Sequence, residues 1–130
     1  MNLICSVKTI MMIDKVYYLK SCSTCIRILK ELNLPENVVL QNIKTEAITE
    51  EQIKQMKDLA GSYEALFSKR ATLYKQRDLK NKSLTETDYK NLILEHYTFL
   101  SRPVFILNNK IFIGNSKANV EAVKNELNEN

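Results

Sequence analysis

Two cysteines separated by two residues, Cys22-Ser23-Thr24-Cys25, stand between the apolar run Val16-Tyr17-Tyr18-Leu19 and a helix-like stretch from Ile26 to Leu32. A strand ending there hands the first cysteine to a helix N-terminus, where unpaired backbone N–H groups and the helix dipole favour negative charge. A thiol so placed ionises more readily, and the thiolate is the reactive form. Cys22, nearer the strand end, is the expected nucleophile. Cys25, one turn into the helix, is expected to be better buried and to resolve an oxidised Cys22 as a disulfide. The bland alternative is a pair of cysteines packed as small hydrophobes. Zinc is disfavoured, because a structural site needs four Cys or His ligands and only Cys5 and His96 remain, at no familiar spacing. No bound metal or cofactor is therefore expected.

Three further places can bear on a reactive thiol. Arg102-Pro103 opens an apolar strand, and a proline there is either a cis bond packed beside the cysteine or an ordinary trans strand start. Lys69-Arg70, followed by Lys75, Arg77, Lys80 and Lys82, is the most basic stretch. Most of it reads as a solvated face. Arg70 differs if its segment folds over the thiol, where a guanidinium can bind an oxyanion or stabilise the thiolate. His96, the single histidine, falls at the end of a helical pattern. Capping the carbonyls there is favoured over a general-base role.

The elements that must position these residues alternate. Lys15 to Lys20 predicts a buried strand. Ile26, Leu29 and Leu32 predict one helix face, closed before Pro35. Val38 to Ile43 predicts a second strand, parallel to the first through a right-handed crossover. Thr49-Glu50-Glu51-Gln52 is a capping box with Ile53, Met56 and Ala60 behind it and Gly61 as the stop. Ser62 can cap a short helix carrying Tyr63, Leu66 and Phe67. Thr85 caps another helix, with Asp88 third in it and Tyr89, Leu92 and Ile93 on its apolar face, ending near His96. Val104–Leu107, Asn108-Asn109 and Lys110–Ile113 read as a hairpin. Ser116 caps a last helix with Val120, Val123 and Leu127 inside. The order is β-α-β, helices, β-β-α: an α/β, thioredoxin-like fold with a helical insertion at about 49–100 between its halves. In that context the cysteine pair reads as thiol redox chemistry.

The chain has 130 residues, 45% hydrophobic and 26% charged, which is ordinary usage for one globular domain. Residues 15–130 form that domain. Residues 1–14 read as an N-terminal extension, probed by no strong signal and dispensable, with Cys5 incidental. No apolar run approaches the ~20 residues of a membrane span, and Lys8 breaks the leading run without a cleavage site after it. The expected setting is the cytoplasm, away from membranes. A formal charge of +4 permits anionic substrates without implying direct DNA binding.

With these residues in place, the chain resembles the arsenate reductase (ArsC-like) family, which includes Spx regulators and YffB-like reductases. The similarity runs from about Lys15 to Leu127. It is carried by Cys22 after the first strand, by Leu66-Phe67-Ser68-Lys69-Arg70-Ala71, and by His96-Tyr97-Thr98-Phe99-Leu100-Ser101-Arg102-Pro103. The resemblance implies a cis-proline at Pro103 and anion ligands at Arg102 and Arg70, with Ser23 and Thr24 structural at the site. Two departures matter. Glutathione-dependent arsenate reductases typically carry one reactive cysteine, whereas Cys25 here offers an internal resolving thiol, as in Spx-like members. Their third arginine falls in or after the hairpin, where this chain has Gly114-Asn115-Ser116-Lys117, so that charge is left to Lys117. The resemblance implies an oxidoreductase that reduces arsenate, another small oxyanion or an oxidised thiol, with glutathione or thioredoxin as reductant and glutaredoxin as a further partner. The alternative is an Spx-like redox-sensing regulator that binds RNA polymerase.

Overall fold

The computed structural model describes residues 13–129. Its sheet is built around β1 (Lys15–Tyr18), which pairs in parallel with β2 (Val39–Asn42) on one side and antiparallel with β3 (Val104–Leu107) on the other. β4 (Lys110–Ile113) completes the hairpin, giving the order β2-β1-β3-β4. β1 is shorter than the apolar run predicts. The Cys22 N–H donates to the Leu19 carbonyl (3.0 Å), so the chain already turns beyond Tyr18. α1 (Ser23–Leu32) makes the crossover to β2 and ends on Asn33, left-handed at φ 51°, two residues before Pro35. This is the thioredoxin-like β-α-β … β-β-α layout.

Side chains alternate across a strand, and β3 uses both faces. Val104 and Ile106 join Tyr17, Leu66, Phe99 and Met56 in the core under the helical insertion. Phe105 and Leu107 join Val16, Ile28, Val120 and Val123 in a second core beneath α1 and α5 (Lys117–Asn128). The buried face of α1 is Cys25, Ile28 and Leu32; of the expected Ile26, Leu29 and Leu32, only Leu32 is fully inside and the other two are half-buried at its edge. The register follows from burying Cys25. In α5, Val120 and Val123 are buried as expected, but Glu126 is buried with them, bound by Asn108 Nδ2 (2.7 Å) and Lys110 Nζ (3.0 Å). That carboxylate pins the hairpin turn, whose Asn108 and Asn109 take φ values of 52° and 63°.

The insertion contains α2 (Glu50–Ala60), α3 (Thr72–Gln76) and α4 (Glu86–Glu95), with short 3-10 turns between. Both expected capping boxes form: Thr49 with Gln52, and Thr85 with Asp88. Gln52 is also paired amide to amide with Gln41 of the edge strand β2 (2.9 and 3.1 Å), which joins the insertion to the sheet. Ser62 accepts from the Ala65 N–H, yet the segment is a single 3-10 turn, Glu64–Leu66, and Phe67 is already extended. Among the described residues no helix is long and apolar enough to cross a membrane. Cys5 and residues 1–12 lie outside the described residues. Asp14, counted with the extension on sequence grounds, accepts hydrogen bonds from the N–H groups of Val39 and Asn108, both 3.0 Å.

Candidate active site

Cys22 is the N-cap residue of α1, in extended conformation, and it borders a cleft of about 410 Å³. Three other segments line that cleft: Phe67 to Arg70, Ser101-Arg102, and Ile113 to Ser116. They are distant in sequence and are brought together by backbone hydrogen bonds. Ser68 N–H donates to the Phe99 carbonyl (2.7 Å) and Ser101 N–H to the Leu66 carbonyl (2.8 Å), flanking an antiparallel bridge between Phe67 and Leu100. Gly114 N–H donates to the Pro103 carbonyl (2.9 Å). Under this patch the Phe67 ring stacks on Phe99 at 5.2 Å and meets Tyr89 edge-on at 4.9 Å. Arg70 and Arg102 thereby border the same cleft, each three residues beyond a buried phenylalanine of this cluster, Phe67 and Phe99.

The two cysteines are free thiols in unlike surroundings. Partial burial raises the Cys22 pKa. The backbone N–H of Cys25, the Cys25 thiol, the Arg102 charge and the N–H of Thr24 outweigh that effect and hold it below the usual thiol range. No helix N–H makes a full cap hydrogen bond to the neutral sulfur, so these amides act by their direction, which favours the anion. Cys25 is fully buried. Burial pushes its thiol up to about 11, reinforced by Cys22 and only partly offset by the Leu19 N–H and Arg102. The arrangement sets a thiol inclined to ionise beside a shielded one held protonated.

Arg102 is gripped from one side, Nη1 donating to the carbonyls of Thr98 (3.3 Å) and Leu100 (3.2 Å), while its buried Nε makes no hydrogen bond. A buried guanidinium N–H without a partner is costly unless a ligand meets it. The Arg102–Pro103 bond is cis, as the resemblance implied. Arg70 is exposed at the mouth of the cleft, its backbone N–H held by Ser68 Oγ (3.3 Å).

Not every expected residue reaches the cleft. Lys117 is exposed at the first position of α5 and is not part of the lining. Ser116 Oγ caps that helix by accepting from the Asn119 N–H (3.1 Å), and the cap turns the following residue to solvent. Thr24 contributes its amide, but Ser23 faces a separate shallow groove with Lys20, Arg27 and Lys30. His96 also lies elsewhere. Its Nδ1 accepts from the Thr98 N–H (3.2 Å) and so caps the 3-10 turn Tyr97–Phe99, rather than the carbonyls of α4. In the basic stretch, Arg77 is bound by both oxygens of Glu95 (3.2 and 2.6 Å), and Lys75, Lys80 and Lys82 are exposed. Lys69, given no site role from the sequence, lines the cleft, as do Ser68, Ser101 and Asn115. Among the described residues no group of three or more His, Cys, Asp or Glu is arranged to hold a metal.

A sequence model of the ArsC family matches residues 17–123. The chain belongs to the ArsC family. Solved structures with the same fold include an ArsC family related protein from Bacteroides fragilis, 22% identical with a TM-score of 0.70 over 86% of this chain and 98% of that one. An arsenate reductase from Vibrio cholerae is 16% identical, with a TM-score of 0.68 over 85% of this chain and 95% of that one. An arsenate reductase (ArsC) related protein from Brucella melitensis is 20% identical, with a TM-score of 0.64 over 85% and 93%. No curated protein matches the sequence. The matched span takes in Cys22, Cys25, Arg70, Arg102 and Pro103, so the whole cleft wall of this ArsC-family protein falls inside it.

Proposed function

We propose that this ArsC-family protein is a thiol oxidoreductase that reduces arsenate or a related small oxidised substrate. The observation that carries this reading is Cys22, its thiol held below the usual range, facing a cleft that also receives Arg70 and Arg102. The thiolate attacks the arsenic of bound arsenate, forming a Cys22 S–As bond. One As–O bond breaks and its oxygen, protonated, leaves as water, while the arginines stabilise the charge. Cys25 then gives its proton to an oxygen of the bound arsenic group and attacks Cys22 Sγ, breaking the S–As bond so that its electron pair leaves with arsenic as arsenite. Two electrons pass from the two sulfurs to the substrate, the reduced product leaves, and a Cys22–Cys25 disulfide remains. Glutathione or thioredoxin, aided in the first case by glutaredoxin, returns the pair to thiols. A reducing cytoplasm is the compartment that suits such a cycle.

The test is turnover of arsenate by purified protein with each reductant in turn. Activity is expected with at least one of them, and Arg70→Ala and Arg102→Ala should each lower kcat/KM by about tenfold or more, the worth of one charge-assisted hydrogen bond. With Lys117 outside the cleft, Lys117→Ala should leave the rate within twofold. An absence of arsenate reduction together with redox-dependent binding to RNA polymerase would replace this reading with the regulator.

A further inference from the structure

We propose that Lys69 supplies the third positive charge of the cleft, exchanging its partner Glu64 for the bound oxyanion. The proposal rests on the oxyanion reading above and names the residue that sets its affinity. A dianionic tetrahedral oxyanion beside the Cys22 thiolate brings three negative charges together. Arg70 and Arg102 meet two of them. The facing wall, Ile113 to Ser116, has no ionisable side chain, and Lys117 is outside the lining. Among the described residues, Lys69 is the remaining cation that borders the cleft.

Lys69 Nζ sits 3.3 Å from Glu64 Oε2, with the two side chains 55% and 53% exposed. An ion pair that open to water is weak and readily exchanged. Glu64 is not stranded by the exchange. Its Oε2 also lies 3.5 Å from the Tyr89 hydroxyl, and it remains exposed to solvent. Lys69 follows directly on Ser68, whose N–H is bound to the Phe99 carbonyl, so the backbone that carries it is fixed against the cleft while its side chain is free to swing. A lysine ammonium on a flexible stem suits that movement better than a planar guanidinium.

The experiment measures inorganic sulfate binding as protection of Cys22 from iodoacetamide, in full-length protein carrying Cys25→Ser. Lys69→Met should weaken sulfate binding about tenfold, the loss of one charge-assisted hydrogen bond, and Lys69→Arg should restore it to within about threefold. Glu64→Gln should act in the opposite direction, tightening binding by about two- to fivefold because Lys69 is released from its competitor. That opposition of sign separates the proposal from simple damage to the loop. Unchanged affinity in Lys69→Met, or weakened affinity in Glu64→Gln, overturns it while the oxyanion reading stands. Sulfate that fails to protect Cys22 at all in the Cys25→Ser protein with Lys69 and Glu64 unchanged overturns both.

Discussion

Cys22 and Cys25 are one helical turn apart, and their surroundings drive their acidities in opposite directions. Burial acts on both, but only Cys22 has compensation strong enough to overcome it: the first amides of α1, the Cys25 thiol and Arg102. The pH profile of Cys22 alkylation, measured in Cys25→Ser protein, should therefore have its midpoint below the free-thiol value of ~8.5. Arg102→Ala should move that midpoint upward, whereas Lys117→Ala should not. A midpoint at the free-thiol value would mean that the sulfur is not activated. Mild peroxide treatment of the unsubstituted protein should give a single Cys22–Cys25 disulfide, found by peptide mapping, with Cys5 left as a thiol. The short loop between the pair makes its closure entropically easy. Irreversible over-oxidation of Cys22 with Cys25 intact would remove the resolving role.

The cleft depends on elements that have no regular secondary structure of their own. The strand of residues from Leu66 to Arg70 is suspended between the Phe99–Ser101 backbone and a 3-10 turn, Glu64–Leu66, whose first N–H groups are capped from outside. Glu86 accepts from Tyr63 N–H at 2.7 Å and from Glu64 N–H at 3.2 Å. Glu86→Ala leaves both donors to water and should lower the unfolding free energy by about 1 kcal/mol, as loss of a cap does. Urea denaturation checks this, and an unchanged midpoint would show that the turn needs no cap. The sequence reveals some of these elements better than others. Capping boxes at Thr49 and Thr85, the Asn108-Asn109 turn and the strand-to-helix placement of Cys22 are local signals, and each is realised. The contact between Phe67 and Leu100 spans the insertion and leaves no periodic trace, so Ser68, Lys69 and Ser101 were not legible as cleft residues. Lys117 lies outside the cleft lining for a related reason. The helix cap at Ser116 was readable, but the direction in which it sends the next side chain depends on where the cleft lies.

At the scale of the whole molecule, the sheet is covered on both faces, and that burial fixes how stability must vary with pH. Burial, with a smaller contribution from Glu46, pushes the Tyr17 hydroxyl up to about 12. Cys25 is pushed up to about 11. Lys110 and Lys124 are also raised, chiefly by their hydrogen bonds to Glu126 and Glu31. All four groups hold their protons more tightly in the folded chain than in the unfolded one. The unfolded state therefore binds fewer protons through the alkaline range, and the unfolding free energy must fall as pH rises. Their contribution is complete below the unfolded pKa values and is lost through the folded ones. Tyr17 and Cys25, the two buried groups, each add a slope of up to about 1.4 kcal/mol per pH unit within their own windows. The decline should begin near pH 9, where Cys25 enters its window, and steepen as Tyr17 follows. Tyr17→Phe keeps the ring in the core under the insertion and removes one titrating group, so its curve should match the wild type at neutral pH and fall less steeply above about pH 10. Urea denaturation across this range decides the matter. A stability that stays level from neutrality to about pH 11 would show that neither Tyr17 nor Cys25 is kept neutral by the fold.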